Sequence, residues 1–279
     1  MDQTSPASRR FYRHRLPVRV MHWINAITFF ILLMSGLNIF NAHPALYWGK
    51  DSSFDTPWVS IGARLDDSSG SAALAGVTKI GSLQINTTGV LGVSEFRGQP
   101  TARGFPSWAT IPGPQWLSMA RHWHFFFAWV FVINGVCFVL YSLFSRHLQR
   151  DLLPTRAELR NIGSSIKNHL LFRHPGGDAA RRYNVLQSLT YLIVIFGLLP
   201  LLVVAGWAMS PRLDAVYAGW VDLLGGRQSA RTLHFLAASG LLLFTLIHVF
   251  EVFVAGVWNE MRSMITGWYT LPAAKENAK

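Results

Sequence analysis

A single cysteine, Cys137, is the only thiol in this 279-residue chain. Its isolation excludes a disulfide framework, a CxxCH motif for covalent haem attachment and a thiolate-held iron–sulfur cluster. Charge is scarce as well: 14% of the residues are charged, and 14 acids stand against 25 lysines and arginines. A water-soluble domain has about a quarter of its residues charged, so this chain is not built to present its whole surface to water.

In place of charge there is apolar sequence, 51% of the chain. Four segments, near 20–41, 122–144, 185–209 and 231–258, each reach the roughly 20 residues needed to cross a hydrocarbon layer of about 30 Å. They predict an all-α integral membrane protein, a four-transmembrane-helix bundle forming a single domain over 1–279. The net charge of +11 does not describe a nucleic-acid surface, because the basic residues flank the apolar segments instead of gathering on a soluble face. The start RRFYRHRLPVR and the connection from Arg146 to Arg182 are Arg-rich. By the positive-inside bias these regions and both termini are cytoplasmic, in a multi-pass protein of the bacterial inner membrane. A basic start before an apolar run also has the form of a secretory signal. The run VMHWINAITFFILLMSGLNIF is long for one, and its removal would leave three crossings with the termini on opposite sides.

The long connection over 42–119 contains many Gly, Ser, Thr and Pro residues and short pieces such as INTTGVLGVSEF. It reads as an extracytoplasmic insertion of turns and short strands, since a structureless loop of that length is unusual. Its Trp48, Trp58, Trp108 and Trp116 suit an interfacial or packed surface, and it serves either as a plain lid or as a docking place for an extracytoplasmic partner. The cytoplasmic connection, 146–184, contains Thr155 followed by Glu158, the pattern of a capping box. Beyond it Leu159, Ile162, Ile166 and Leu170 recur at helical spacing among Arg156, Arg160 and Lys167, which predicts an amphipathic helix lying in the headgroup plane.

Four histidines lie on three of the apolar segments, and an imidazole in hydrocarbon is a functional hypothesis by default. His234 and His248 are fourteen residues apart on one run, a spacing that advances about 21 Å along a helix and returns to within about 40° of the starting face. With helices one and three running outward and two and four inward, depth pairs His22 with His248 and His124 with His234. Two imidazoles fill both axial positions of a haem iron, which favours electron transfer over oxygen or substrate binding. The pattern therefore predicts two non-covalently held haems. Arg19, Arg121 and Arg231 each precede a proposed ligand by three residues, where a guanidinium suits a haem propionate, although Arg also snorkels at helix ends for no further reason. His122 competes with His124 in RHWHFFFAW; His124 is preferred because it completes RxxH and has Ala128 one turn on, leaving room for a flat macrocycle. His14, His43, His147, His169 and His174 fall in connections and read as ordinary solvated imidazoles.

These residues resemble the di-haem membrane cytochrome b family that includes bacterial cytochrome b561 and the cytochrome subunits of nickel hydrogenase, formate dehydrogenase and thiosulfate reductase. The resemblance covers the four-helix core and rests on HWxNA from His22 to Ala26, RxxHxxxA from Arg121 to Ala128, and RxxH with a second His fourteen residues on. Arg182-Tyr183-Asn184 followed by Gln187 is similar to the YNxxQ segment of formate dehydrogenase cytochrome subunits. That likeness nominates Asn184 and Gln187 beside a quinone headgroup; the competing reading is polar residues satisfying a helix start. The long 42–119 insertion departs from the compact family core and resembles cytochromes that accompany a periplasmic molybdopterin oxidoreductase.

The resemblance implies two b-type haems and electron transfer across the membrane between the quinone pool and an extracytoplasmic oxidoreductase subunit, such as one containing molybdopterin. The alternatives are a stand-alone quinol-oxidising cytochrome of the same fold and a transporter using the histidines as a proton relay. The relay would need buried carboxylates, and Glu251 is the only acid within the 231–258 segment.

Overall fold

A computed structural model of the chain describes residues 10–66, 73–171, 184–217 and 219–271. Four apolar helical spans are long enough to cross a membrane: α1, Leu16–Phe40; α2, Leu117–Phe144; the span Val185–Ala208; and α9, Arg227–Thr266. Three begin a turn before their apolar runs, because Arg19, Arg121 and Arg231 are tolerated inside a helix whose end reaches polar surroundings. Only 17% of the apolar window of α2 and 6% of that of α9 is buried within the chain. Apolar side chains left outward over such lengths face hydrocarbon, not water. The third span is α5, Val185–Ile193, a π-helical turn, Val194–Leu198, and α6, Leu199–Ala208. Pro200 offers no N–H to the carbonyl four residues back, and just before it Leu199 N–H bonds the Val194 carbonyl five residues away. α9 is bent at Gly256, where φ is 109° and ψ 85°.

The chain forms two compact units, and each of the four spans contributes to both. One comprises Met1–Ile24, Asn134–Pro200 and Ser239–Lys279. In it β1, Arg10–Tyr12, pairs antiparallel with β8, Trp268–Thr270, in the register Phe11 to Tyr269. The Arg13 guanidinium lies 4.5 Å from the Tyr269 ring centre and 3.4 Å from the Glu260 carboxylate. The Trp23 indole donates to Met264 O at 3.2 Å, and buried Asn134 donates to Met21 O at 2.9 Å. The connection after α2 forms a π-helical turn, Leu148–Leu152, then α3, Arg156–Arg160, and α4, Ile162–Leu170. Thr155 and Glu158 close the capping box reciprocally, at 3.2 Å and 2.6 Å. Leu159 and Ile166 are exposed, as an apolar stripe resting on a lipid surface would be.

The other unit comprises Asn25–Ile133 and Leu201–Ala238. Between α1 and α2 it holds a four-stranded sheet of β2 (Ala45–Leu46), β3 (Val59–Asp66), β4 (Ala73–Ile80) and β5 (Leu83–Asn86), in that order, and a hairpin of β6 (Gly92–Phe96) and β7 (Gln99–Arg103). The hairpin crosses the sheet at Gly92, which has φ of 78°, and there a Cβ would stand 2.2 Å from Gly62 O. Phe40, Leu46 and Ile61 form the buried cluster under this sheet, with Phe105 and Phe235 packed on it. Asn38, fully buried on α1, donates to Pro112 O at 2.5 Å and Pro114 O at 2.9 Å, tying the returning chain to the helix. Trp48, Trp58, Trp108 and Trp116 are all exposed. Two short helices, α7 (Pro211–Val216) and α8 (Trp220–Leu223), precede α9.

Candidate functional site

The histidines meet in the pairs that depth selects. In the unit containing the chain ends, the rings of His22 on α1 and His248 on α9 stand 6.3 Å apart between centres. Phe244 stacks on His248 at 5.8 Å, and Tyr191 from α5 lies edge-on to it at 6.4 Å. In the other unit, His124 on α2 and His234 on α9 are 6.2 Å apart. His122 points elsewhere: it is exposed, and its Nδ1 lies 2.8 Å from Ser118 O on its own helix.

His124 and His234 are held in the same manner by different helices. His124 Nδ1 is 3.1 Å from Leu32 O, and His234 Nδ1 is 2.8 Å from Leu202 O. A carbonyl only accepts, so each Nδ1 carries the proton and each Nε2 presents its lone pair. One turn beyond each carbonyl is a glycine on which the ring rests: a Cβ at Gly36 would lie 3.3 Å from His124 Cε1, and one at Gly206 3.2 Å from His234 Cε1. Small residues of this kind let neighbouring helices approach in lipid. The sequence reading missed this cradle; its one visible trace is the pair of small-residue steps Ser35-Gly36 and Ala205-Gly206. Ser35, fully buried, adds its hydroxyl 3.1 Å from His124 Nδ1.

Residues 13–267 match the family described as prokaryotic cytochrome b561. The chain belongs to that family. Prokaryotic cytochromes b561 are multi-pass bacterial membrane proteins that carry electrons and bind b-type haem. A relative from Azospira oryzae, whose name describes a subunit of a protein-methionine-sulfoxide reductase (YedZ1), is 30% identical over 162 residues, 58% of this chain and 77% of its own. No solved structure matches the chain.

The residues present fit the haem of a cytochrome b561. A metal–imidazole bond is about 2 Å long and the nitrogen lies about 1.1 Å from the ring centre, so one iron between two coaxial rings sets their centres about 6 Å apart. Both pairs stand at that separation. Among the described residues no three His, Cys, Asp or Glu side chains converge on one point, and two imidazoles suit a cofactor that brings its own equatorial ligands. His22 Nδ1 is buried without a hydrogen-bond partner.

The three arginines differ. Arg19 donates to Ile265 O and keeps a buried, unpartnered Nε. Arg231 donates to His43 O and lies 5.1 Å over the Phe40 ring. Arg121 is exposed, 5.5 Å over Phe125. Asn184 caps α5: its Oδ1 accepts from Leu186 N at 3.2 Å, and Gln187 Oε1 accepts from Asn184 N at 3.3 Å. The helix start thus occupies both oxygens and leaves the amide nitrogens as the groups able to face a ligand; Arg182 and Tyr183 lie outside the described residues. His174 lies outside them too, and His169 is described only as part of α4.

Not every connecting histidine is the solvated imidazole its position suggests. His14 is 7% exposed, and burial, then the Arg13 charge, lower its pKa to about 3. His43 stacks on Tyr47 at 5.6 Å, and burial, then Arg231, lowers its pKa below the ordinary imidazole range. His147 is bonded to Asp151 at 2.6 Å.

Proposed function

We propose that the chain is a two-haem cytochrome b that passes electrons between the membrane quinone pool and an extracytoplasmic redox protein. The observation that carries this reading is the pair of His–His separations, 6.3 Å and 6.2 Å, on helices long enough to cross a membrane. His124 and His234 would ligate one haem, and His22 and His248 the other. Bound there, haem would supply one-electron redox chemistry.

The surrounding side chains orient and enclose. Leu32 O and Leu202 O fix the tautomers of His124 and His234, while Phe244 and Tyr191 wall His248 from water. Arg19, Arg121 and Arg231 are the cations to meet propionates, which would draw the side chains of Arg19 and Arg231 from their present carbonyl partners. Asn184 and Gln187, at the cytoplasmic start of α5, would offer amide N–H groups to a quinone headgroup on the His22–His248 side. The single domain has its 42–119 insertion outside and both termini inside. The insertion is the surface for an oxidoreductase subunit, of the molybdopterin class by resemblance to the cytochromes with a long insertion; the Azospira relative's name describes a subunit of a protein-methionine-sulfoxide reductase.

Purified protein should show a reduced b-type spectrum with two haems per chain, and His248→Ala should lose one of them. A chain without haem, or a His248→Ala variant that keeps both, would overturn the proposal.

A further inference from the structure

The two histidine pairs are not equivalent in what their outer nitrogens touch. The Ser35 hydroxyl gives its proton to Ile31 O, 2.6 Å away, so towards His124 Nδ1 it can only accept. The Nδ1 proton of His124 is therefore shared between Leu32 O and Ser35 Oγ, both at 3.1 Å. On the opposing ring, His234 Nδ1 has Leu202 O at 2.8 Å. Acceptors on the outer nitrogen raise the basicity of a ligating imidazole, and a more basic ligand favours the oxidised metal. At the other pair, His22 Nδ1 is buried with no partner, and that ring gains no such push.

We propose that Ser35 is a positioning residue for His124, and that with Leu32 O and Leu202 O it makes the His124–His234 site the lower-potential of the two. The proposal rests on the two-haem reading above. The three RxxH arginines do not reverse the order. Arg121 is exposed, where solvent and salt screen it. The other two RxxH arginines are both partly buried, Arg231 three residues before His234 and Arg19 three residues before His22.

The test is a spectropotentiometric titration of the purified holoprotein. The wild type should titrate as two components, and His22→Ala or His248→Ala should remove the higher one. Ser35→Ala should raise the lower component by about tenfold in its reduction equilibrium, which is about 59 mV for one electron, and Ser35→Thr, which keeps the hydroxyl, should restore it. Loss of the lower component in His22→Ala or His248→Ala, or an unmoved potential in Ser35→Ala, would overturn the assignment. If the Ser35 variants bind no haem, the order found with the histidine variants decides it alone. A wild-type chain with fewer than two haems is a different result, because it removes the reading on which the proposal stands.

Discussion

At His234 the ring is fixed on two sides by one helix, with Leu202 O at its Nδ1 and Gly206 against its edge. Gly206→Ala places a methyl 3.2 Å from Cε1, closer than side-chain carbons sit without yielding. Overpacking of this sort costs about 1–3 kcal/mol. The variant should lose one haem's absorbance at a lower temperature than the wild type, while the other haem's signal is retained. The positions of the four histidines were legible because helical periodicity and depth are written in one segment at a time. Their carbonyl acceptors were not, since Leu32 and Leu202 act through backbone atoms on other helices. For the arginines the RxxH repeat was legible, but not that two of the three guanidiniums would rest on backbone carbonyls. His14 gives a pH prediction at this scale. Folded, it takes a proton only near pH 3; unfolded, near 6.5. Between those values the unfolded chain binds more protons, so stability should fall as pH drops through this window, by about 1.4 kcal/mol per pH unit at most. His14→Gln should flatten that slope in thermal melts of detergent-solubilised protein.

Among the elements, α5 shows how one pair of residues can serve two readings. Asn184 and Gln187 close a capping box, which satisfies the helix start and leaves their amide nitrogens for a ligand. Asn184→Ala should cost about 1 kcal/mol through the lost cap. Asn184→Ser keeps a capping oxygen and removes the amide, so it should hold thermal stability near wild type and slow haem reduction by a quinol analogue. Unchanged reduction in Asn184→Ser would leave this residue a cap alone. The Thr155–Glu158 box was readable in advance because its donors and acceptors lie within four residues. The strand register of the 42–119 connection was not, because the hairpin's seat depends on Gly92 reaching Gly62, thirty residues away. Nor was the π-helical turn before Pro200, which changes the facing of the third span at mid-length.

For the whole molecule, the orientation proposed from the charge bias has the sheet-bearing insertion outside and α3 and α4 inside. Asp55 and Ser164 are both exposed, so cysteines at these positions in a Cys137→Ser background can report on it. A membrane-impermeant maleimide should label Asp55→Cys in intact spheroplasts and Ser164→Cys only after lysis; the reverse pattern would invert the proposed orientation. The pairing of β1 with β8 adds a condition that owes nothing to charge. Strands that share backbone hydrogen bonds cannot have a bilayer between them, so Arg10–Tyr12 and Trp268–Thr270 lie on the same face whichever face that is. The number of crossings between them must then be even. Four satisfies that parity and three does not, and a variant that inverted or dropped one helix would have to open this strand pair to do so.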